Sequence, residues 1–185
     1  MARVSLSPPR TLTYRLAEWY SRRTYGAVLD PLKAMGHHPR LLIADARFEM
    51  AVAKWKELDR SLKDLAEMAT AARIGCSWCM DFGYWLSHTH GLPEEKLRAV
   101  PRWREHRELF SETELAVLEY AEAMTETEPT VTDELAQRLV GLLGELAFVE
   151  LTAMVAVENL RSRINSALGL TGQGFSDRCA LPSHA

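Results

Sequence analysis

The sequence lacks the features that mark membrane-spanning, exported and disulfide-stapled proteins. No apolar run approaches the roughly 18 to 20 residues that a helix needs to cross a bilayer. Pro8, Pro9 and Arg10 stand where a signal peptide would carry its apolar stretch. Three cysteines in 185 residues are too few for a disulfide framework. These absences predict a cytoplasmic protein that does not bind a membrane.

A strong charge of one sign is also lacking, because the net charge is only −3. The charge is nevertheless uneven, since residues 1–44 hold seven Lys or Arg and two acidic residues, and the remainder is acidic. The basic residues are scattered, and the acidic remainder would repel phosphate. We therefore expect no nucleic-acid binding. We expect the basic segment to lie against the acidic body of its own subunit or of a neighbour.

Strand-like alternation is not sustained anywhere, whereas apolar residues recur at helical spacing along most of the chain. The clearest case runs from Glu145 to Leu168 without Gly or Pro and is ended by Gly169. Its apolar stripe consists of Leu146, Val149, Ala153, Val157, Leu160, Ile164 and Leu168. The other faces are also mostly apolar up to Val157. This pattern predicts burial nearly all round, at the centre of a bundle or in a subunit interface.

Further periodic segments and their caps predict an all-α protein of about seven or eight helices. Pro39 is typical of a first helical turn, and Ser111 with Glu114 forms a capping box. The predicted organisation is a helical arm over residues 1–40, a helical domain over residues 41–170 and an irregular tail over residues 171–185.

The segment Gly75-Cys76-Ser77-Trp78-Cys79 opens a predicted helix that continues to about His88 or His90. Cysteines three apart on a helix share a face, with Cα atoms about 5 to 6 Å apart, which is within the range that a disulfide requires. Cys76 falls in the first turn, where unpaired N–H groups favour thiolate over thiol. A paired thiol of lowered pKa is typical of a redox site.

Two other interpretations of the cysteine pair stay open. Free cysteines pack well in a buried helix, so the spacing could arise without a function. A zinc site would need two further ligands, but residues 88 and 90, both histidines, face different directions on a helix. No glycine loop that would hold a phosphate occurs either. We therefore expect neither a metal nor another cofactor.

The run from Leu62 to Asp81 resembles the core of the carboxymuconolactone decarboxylase superfamily, in its AhpD-like alkylhydroperoxidase branch. In that pattern a carboxylate is followed twelve residues later by Cys-x-x-Cys, and a histidine follows four residues after the second cysteine. The resemblance covers about residues 40–170, including Glu158-Asn159-Leu160-Arg161. It implies an AhpD-like helical bundle over residues 41–170 and a homo-oligomer.

The same resemblance implies a peroxidase in which one thiolate attacks a hydroperoxide and the other resolves the sulfenate. It implies that Cys79 is the peroxidatic cysteine and that Cys76 is the more exposed one, which meets the reductant. The position of Cys76 at the helix end, by contrast, favours Cys76 as the thiol of lower pKa. The order of the two sulfurs therefore stays open.

Two positions depart from the family pattern. The relay glutamate falls on Asp64, with Glu67 one turn further along the same face, and the histidine falls on Gly83. We expect Asp64 and Glu67 to carry the protons, with water filling the space beside Gly83. A glycine in the middle of a helix costs about 1 kcal/mol relative to alanine, so Gly83 indicates a close helix approach or room for a ligand.

Three further features lie near the cysteines or share their chemistry. Asp81 is turned about 140 to 160° from the thiol face, so we expect it to be solvated or bonded to another helix. Trp78, Phe82 and Trp85 share a face that is typical of a core, although it could line a site for an apolar hydroperoxide. Cys179, in the polar tail, is expected to be a loosely held free thiol.

These features together predict a thiol-dependent peroxidase that reduces hydrogen peroxide or organic hydroperoxides, with electrons from an unknown dithiol donor. The alternative is a redox-responsive or structural helical oligomer with little catalysis, because the family histidine is missing. A lactone decarboxylase is a third interpretation, which rests on the superfamily name; the branch with that activity lacks the cysteine pair.

Overall fold

Nine α-helices, three short 3₁₀ segments and no β-strand occur in residues 1–179, the part of the chain that this computed structural model describes. This confirms the predicted all-α class. The helices are α1 Leu12–Tyr25, α2 Asp30–Met35, α3 Pro39–Val52, α4 Arg60–Ile74, α5 Ser77–Thr89, α6 Glu94–Ala99, α7 Glu112–Thr125, α8 Asp133–Leu143 and α9 Glu145–Ala167. The six residues of α2 and of α6 are too few to show a recurring pattern. None of these described helices combines the length and apolar character needed to span a bilayer.

The chain divides into two compact units. The first comprises Met1–Trp55 and Ala167–Thr171, and the second comprises Lys56–Ser166 and the segment from Gly172 onward. The predicted domain boundaries at residues 40 and 170 stay a prediction. The predicted irregular tail contains a short 3₁₀ segment, Ser176–Cys179, and residues 180–185 lie outside the described residues.

Caps explain where the helices of the first unit begin and end. Thr11 Oγ1 accepts a backbone N–H in the first turn of α1, and Gly26 ends that helix with φ 69°, a conformation that favours glycine. Pro39 occupies the first turn of α3, as predicted, and His38 Nδ1 accepts a backbone N–H there. Helices α1 and α3 therefore start at positions that the sequence marks.

Helix α4 runs through the hydrophobic core of the second unit and packs against α5 and α7. Leu65 and Ala66 on α4 are completely buried, and so are Ala116, Val117 and Leu118 on α7. The predicted capping box of Ser111 and Glu114 starts α7. Because α4 is held on two sides, it is a rigid support for α5, the helix that follows the cysteine turn.

Helix α9 has one buried face and one exposed face. Leu146, Val149 and Leu160, three members of the predicted stripe, are 72%, 66% and 47% exposed, whereas Val157 is buried. The expectation of burial nearly all round is therefore wrong for the isolated chain, because the other helices cover one side of α9. The interface alternative stays a prediction.

Candidate active site

The two cysteines lie at the turn between α4 and α5. Gly75 ends α4 with φ 78°, a left-handed conformation that favours glycine and reverses the chain. Cys76 is the N-cap of α5, and its Sγ accepts the backbone N–H of Cys79 at 3.2 Å. The two sulfurs form a disulfide, with Cα atoms 5.3 Å apart. The predicted helix and the shared face of the pair are thus confirmed.

Both cysteines are buried, and their order of exposure differs from the expected one. Cys76 is 1% exposed and Cys79 is 7% exposed, although the resemblance implied that Cys76 is the more accessible. The cap position explains the difference, because the Cys76 sulfur is turned back over the first turn of α5. Cys79 Sγ in addition accepts a hydrogen bond of 3.4 Å from Asn165 Nδ2 on α9.

Asn165 is one of three buried polar side chains on the inner face of α9. Glu158, Ser162 and Asn165 are spaced by four and three residues, so they follow one another along the helix. They are 6%, 0% and 3% exposed. Ser162 Oγ donates to Glu158 Oε1 at 2.6 Å. We call these three side chains the α9 polar row; it has a carboxyl group at one end and, at the other, the amide that binds the sulfur of Cys79.

Burial raises the pKa of Glu158 to about 8. The guanidinium of Arg161, with Nη1 3.5 Å from Glu158 Oε2, partly offsets this effect, and the charge of Glu67 adds to it. The carboxyl group of Glu158 is therefore mostly protonated at neutral pH. A buried group that exchanges a proton near physiological pH is typical of an active site.

Glu67, one of the two predicted relay carboxylates, lies beside the α9 polar row. Arg161 Nη1 donates to Glu67 Oε1 at 2.8 Å, which joins α4 to α9. Arg161 thus bridges Glu67 and Glu158, and the three groups form one hydrogen-bonded cluster. The sequence indicated Glu67 by its spacing from the cysteines, but it did not indicate the partners on α9.

Asp64, the other predicted relay carboxylate, is bound near the opposite end of α5. Its Oδ2 lies 2.8 Å from His90 Nδ1, and its Oδ1 lies 3.1 Å from Arg60 Nε. Burial raises the pKa of Asp64, although both partners oppose the shift. The stretch of α5 between Cys79 and His90 spans about 16 Å, at about 1.5 Å per residue. Proton exchange between Asp64 and the sulfurs would need intermediate groups, and the role of Asp64 stays a prediction.

Gly83, at the position of the family histidine, is explained by a close helix approach. A Cβ added to Gly83 would lie 2.9 Å from the Sδ atom of Met68 on α4. Met68 is 1% exposed. Its thioether, rather than the expected water, therefore fills the space beside Gly83. Nothing in the pattern around Met68 had indicated this role.

Asp81 faces away from the sulfurs, as its helical position predicts, and binds the C-terminal segment. Its carboxylate accepts backbone N–H bonds of 2.7 Å from Gln173, 3.1 Å from Phe175 and 2.8 Å from Ser176. Ser176 Oγ donates a fourth bond of 2.7 Å. Burial acts to raise the pKa of Asp81, but these hydrogen bonds outweigh it, and the pKa is lowered. Asp81 is thus an anchor for residues 172–179.

The aromatic face of α5 is also covered by this segment. Trp78 stacks on Phe82 with centroids 5.0 Å apart, and the edge of Phe175 meets Phe82 at 5.1 Å. Trp85 contacts Phe175 as well, and Trp78 Nε1 donates to Gln173 Oε1 at 2.9 Å. Phe175 is completely buried. Trp78 is buried, whereas Phe82 and Trp85 are half-buried, so these residues pack against residues 172–179 rather than in the main hydrophobic core. A site for an apolar hydroperoxide stays a prediction.

Cys179 is buried rather than loosely held, which corrects the expectation for this residue. It is 7% exposed and forms no disulfide with another described residue. Burial raises the pKa of its thiol, and Glu94 and Asp81 act in the same direction. These effects favour the neutral thiol, which is a weak nucleophile. Among residues 1–179, no three His, Cys, Asp or Glu side chains cluster closely enough to hold a metal ion.

An all-helical bundle with a Cys-x-x-Cys disulfide at the start of a core helix defines the AhpD-like class of proteins. The sequence profile of the carboxymuconolactone decarboxylase family matches residues 39–123. Uncharacterized protein YnjA of Escherichia coli (strain K12) is 36% identical over 176 residues, which cover 92% of each chain. The chain belongs to the carboxymuconolactone decarboxylase superfamily.

Three solved structures have the same fold at low sequence identity. An uncharacterized peroxidase-related protein from Silicibacter sp. TM1040 has a TM-score of 0.82 and 12% identity, and covers 95% of this chain and 94% of its own. An alkylhydroperoxidase AhpD core protein from Ralstonia eutropha JMP134 has a TM-score of 0.79, 17% identity and 98% coverage of both chains. The debrominase Bmp8 has a TM-score of 0.80 and 18% identity, and the match covers 94% of this chain and 95% of the Bmp8 chain.

Proposed function

We propose that this protein is a thiol-dependent peroxidase that reduces hydrogen peroxide or organic hydroperoxides through a dithiol and disulfide cycle of Cys76 and Cys79. The observation that carries the proposal is the pair itself: the two sulfurs bond across one helical turn, and Asn165 donates to one of them. The superfamily includes enzymes, and structural neighbours described as peroxidase-related support the proposal.

The cycle consumes one hydroperoxide for each disulfide formed. The Cys79 thiolate attacks an oxygen of the hydroperoxide, so that an S–O bond forms and the O–O bond breaks. The leaving alkoxide takes up a proton and becomes an alcohol, or water when the substrate is hydrogen peroxide. Cys76 then attacks the sulfur of the sulfenic acid, the S–S bond forms, and the hydroxyl group leaves as water. A dithiol donor reduces the disulfide by thiol exchange.

We assign the attack to Cys79 because the Asn165 amide donates to its sulfur, which stabilises a negative charge there. Cys76 is the more deeply buried and serves as the resolving thiol. The test is a reaction of Cys76→Ser and Cys79→Ser proteins with hydroperoxide and a reagent that traps sulfenic acid. Label on Cys79 in the Cys76→Ser protein supports the assignment; label on Cys76 alone, in the Cys79→Ser protein, reverses it.

The activity itself is tested by mixing the reduced protein with hydrogen peroxide or cumene hydroperoxide and measuring disulfide formation. We expect a rate at least about 100-fold above that of an ordinary thiol, since an activated nucleophile and a positioned acid each contribute. Cys179→Ser is the matched control and should oxidise like the unmodified protein. Oxidation as slow as that of a free thiol would favour the alternative, a redox-responsive or structural oligomer.

Glu67 and Asp64 are the proton carriers that the sequence predicts, and they are not equivalent in position. Glu67 is linked through Arg161 to the α9 polar row, whereas Asp64 is bound to His90. We therefore expect Glu67→Gln to slow hydroperoxide turnover more than Asp64→Asn does. Unchanged rates in both variants would discard the two carboxylates as proton carriers.

We also propose that the protein forms a homo-oligomer through the exposed face of α9. Leu146, Val149 and Leu160 are exposed large apolar residues at helical spacing, with Ala153 and Ala156 between them. An apolar stripe of this kind is typical of a contact between subunits. The occupant that we propose is a second copy of the same chain.

A further inference from the structure

We propose that the α9 polar row replaces the missing family histidine, with Glu158 as the group that gives and takes protons during hydroperoxide reduction. The inference rests on the proposed peroxidase activity and adds residues outside the segment that the family profile matches. It stands on the geometry of three buried side chains on one face of α9, of which Ser162 binds the carboxyl group of Glu158 and Asn165 binds the sulfur of Cys79.

The first step of the path is observed directly. Ser162 Oγ donates to Glu158 Oε1 at 2.6 Å, and both side chains are buried. A serine hydroxyl donates and accepts at once, so it can pass a proton to or from the carboxyl group. At the other end of the row, Asn165 holds the Cys79 sulfur by its amide.

Thr70 is a second buried hydroxyl, and along the chain it lies between Glu67 and the cysteines. It lies one turn beyond Glu67 on α4, in the direction of the turn that leads to Cys76. Thr70 is completely buried, and its Oγ1 has no hydrogen-bond partner among residues 1–179. Most buried hydroxyl groups are satisfied, so an unsatisfied one needs an explanation. A hydroperoxide, or the sulfenic acid formed from it, would supply the missing partner.

The protonation of Glu158 suits this role. The charged groups that face it are Arg161 on its own helix and Glu67 on α4. Burial keeps a proton on the carboxyl group, with a pKa of about 8, while Arg161 stabilises the carboxylate once that proton has left. Glu158 can therefore donate a proton at neutral pH and take up another one afterwards.

The protons balance over one turnover. When the Cys79 thiolate breaks the O–O bond, Glu158 protonates the leaving alkoxide and becomes a carboxylate. When Cys76 attacks the sulfenic acid, the carboxylate takes the Cys76 thiol proton and returns it to the departing hydroxide, which leaves as water. Glu158 is then protonated again from solvent, which received the proton of the Cys79 thiol at the start.

The test is the pH profile of disulfide formation after the reduced protein is mixed with cumene hydroperoxide. The wild-type rate should rise as the attacking thiol ionises and fall above about pH 8, as Glu158 loses its proton. In Glu158→Gln the rate at neutral pH should fall about 10- to 100-fold and the alkaline limb should vanish. Glu158→Asp, which keeps the carboxyl group, should restore part of the rate and also the fall in rate at alkaline pH.

Matched hydroxyl deletions separate the path from simple packing. Ser162→Ala should slow oxidation, whereas Ser166→Ala, one turn further along α9, should not, because the hydroxyl that binds Glu158 is that of Ser162. An unchanged pH profile in Glu158→Gln, with rapid oxidation of the wild type, would overturn the relay alone. Slow oxidation of the wild type would instead overturn the peroxidase activity on which the relay rests.

Discussion

The two faces of α9 differ from those of an ordinary surface helix. The inner face carries the buried polar groups Glu150, Glu158, Ser162 and Asn165 among buried apolar residues, while the outer face exposes large apolar residues such as Leu146 and Val149. An ordinary amphipathic helix turns its apolar face inward and its charged face outward. This difference is the basis of both proposals for α9, proton transfer on the inner face and contact with a second copy of the chain on the outer face.

The inner face would be costly without partners, because burial of a charge requires a nearby opposite charge and hydrogen bonds. Each buried carboxyl group on α9 has such partners: Lys63 on α4 for Glu150, and Arg161 with Ser162 for Glu158. The two groups differ in their protonation. Hydrogen bonds with Lys63 and backbone N–H groups outweigh burial and lower the pKa of Glu150, whereas burial dominates at Glu158. Only Glu158 therefore exchanges a proton near neutral pH.

The largest expected effect comes from breaking the inner ion pair. Lys63→Met leaves the Glu150 carboxylate buried without its cation, and the free energy of unfolding should fall by about 3 kcal/mol. Urea denaturation measures the loss. The double variant Lys63→Met with Glu150→Leu removes both charges and should recover much of the stability. Equal stability of Lys63→Met and wild type would show that the pair does not stabilise α9.

On the outer face, the expected effect is on assembly. Leu146→Glu combined with Val149→Glu should convert the oligomer to a monomer, because apolar anchors in a subunit contact each contribute about 2 kcal/mol or more. Sedimentation velocity measures the change. The unfolding free energy of the monomer itself should move by at most about 0.5 kcal/mol, since both side chains are exposed in the chain alone.

A matched control for the outer face is Gln137→Glu, which adds one charge at an exposed position of α8. This variant should keep the wild-type sedimentation coefficient. A wild-type protein that sediments as a monomer would refute the interface directly. A double variant that stays oligomeric would show that the subunits meet on another surface.

The sequence predicted the local features of the site but not its long-range contacts. The disulfide spacing, the start of α5 and the capping box at Ser111 depend on residues three or four apart, which periodicity can show. The bonds of Asn165 to Cys79 and of Arg161 to Glu67 join residues 86 and 94 apart in the chain. Apolar steps of three and four occur on both sides of α9, so the pattern could not show which side faces inward.

The pH dependence of stability sharpens the contrast between raised and lowered pKa values. The pKa of Glu158 is raised to about 8, so its contribution to stability is fully present below about pH 4 and is lost as pH rises through about 8. The pKa of Asp81 is lowered, so its contribution is present above about pH 4 and is lost as pH falls through the folded-state pKa. The two groups thus act in opposite pH windows.

Urea denaturation at several pH values measures both contributions. In the wild type, the free energy of unfolding should fall between about pH 5 and pH 8. In Glu158→Gln this fall should be smaller by at least about 1 kcal/mol. Asp81→Asn should cost about 1 kcal/mol at neutral pH, where solvent screening limits the loss, and should cost less in acid. The same pH slope in wild type and Glu158→Gln would contradict a protonated Glu158 in the folded state.

The smallest expected effect on stability is at Gly83, where the missing histidine can be restored. Gly83→Ala gains helix propensity of about 1 kcal/mol, but its Cβ displaces the Met68 thioether, so the net change should stay below about 1 kcal/mol. The Met68 Sδ atom belongs to a flexible side chain and can move away from a methyl group, whereas an imidazole at position 83 needs the whole space that Met68 fills. We therefore place Gly83→His in the Met68→Ala background.

If the inner face of α9 now performs the task of that histidine, the imidazole provides a second proton carrier that does not depend on Glu158. With Glu158→Gln present in both proteins, Gly83→His with Met68→Ala should then oxidise in hydroperoxide about 10-fold faster than Met68→Ala alone, and its rate should change near pH 6.5, where histidine titrates. Adding Glu158→Gln to the histidine variant should cost little. A large loss on that addition would mean that the histidine cannot replace the row, and that Glu158 serves the sulfurs in a way that no residue on α5 can supply.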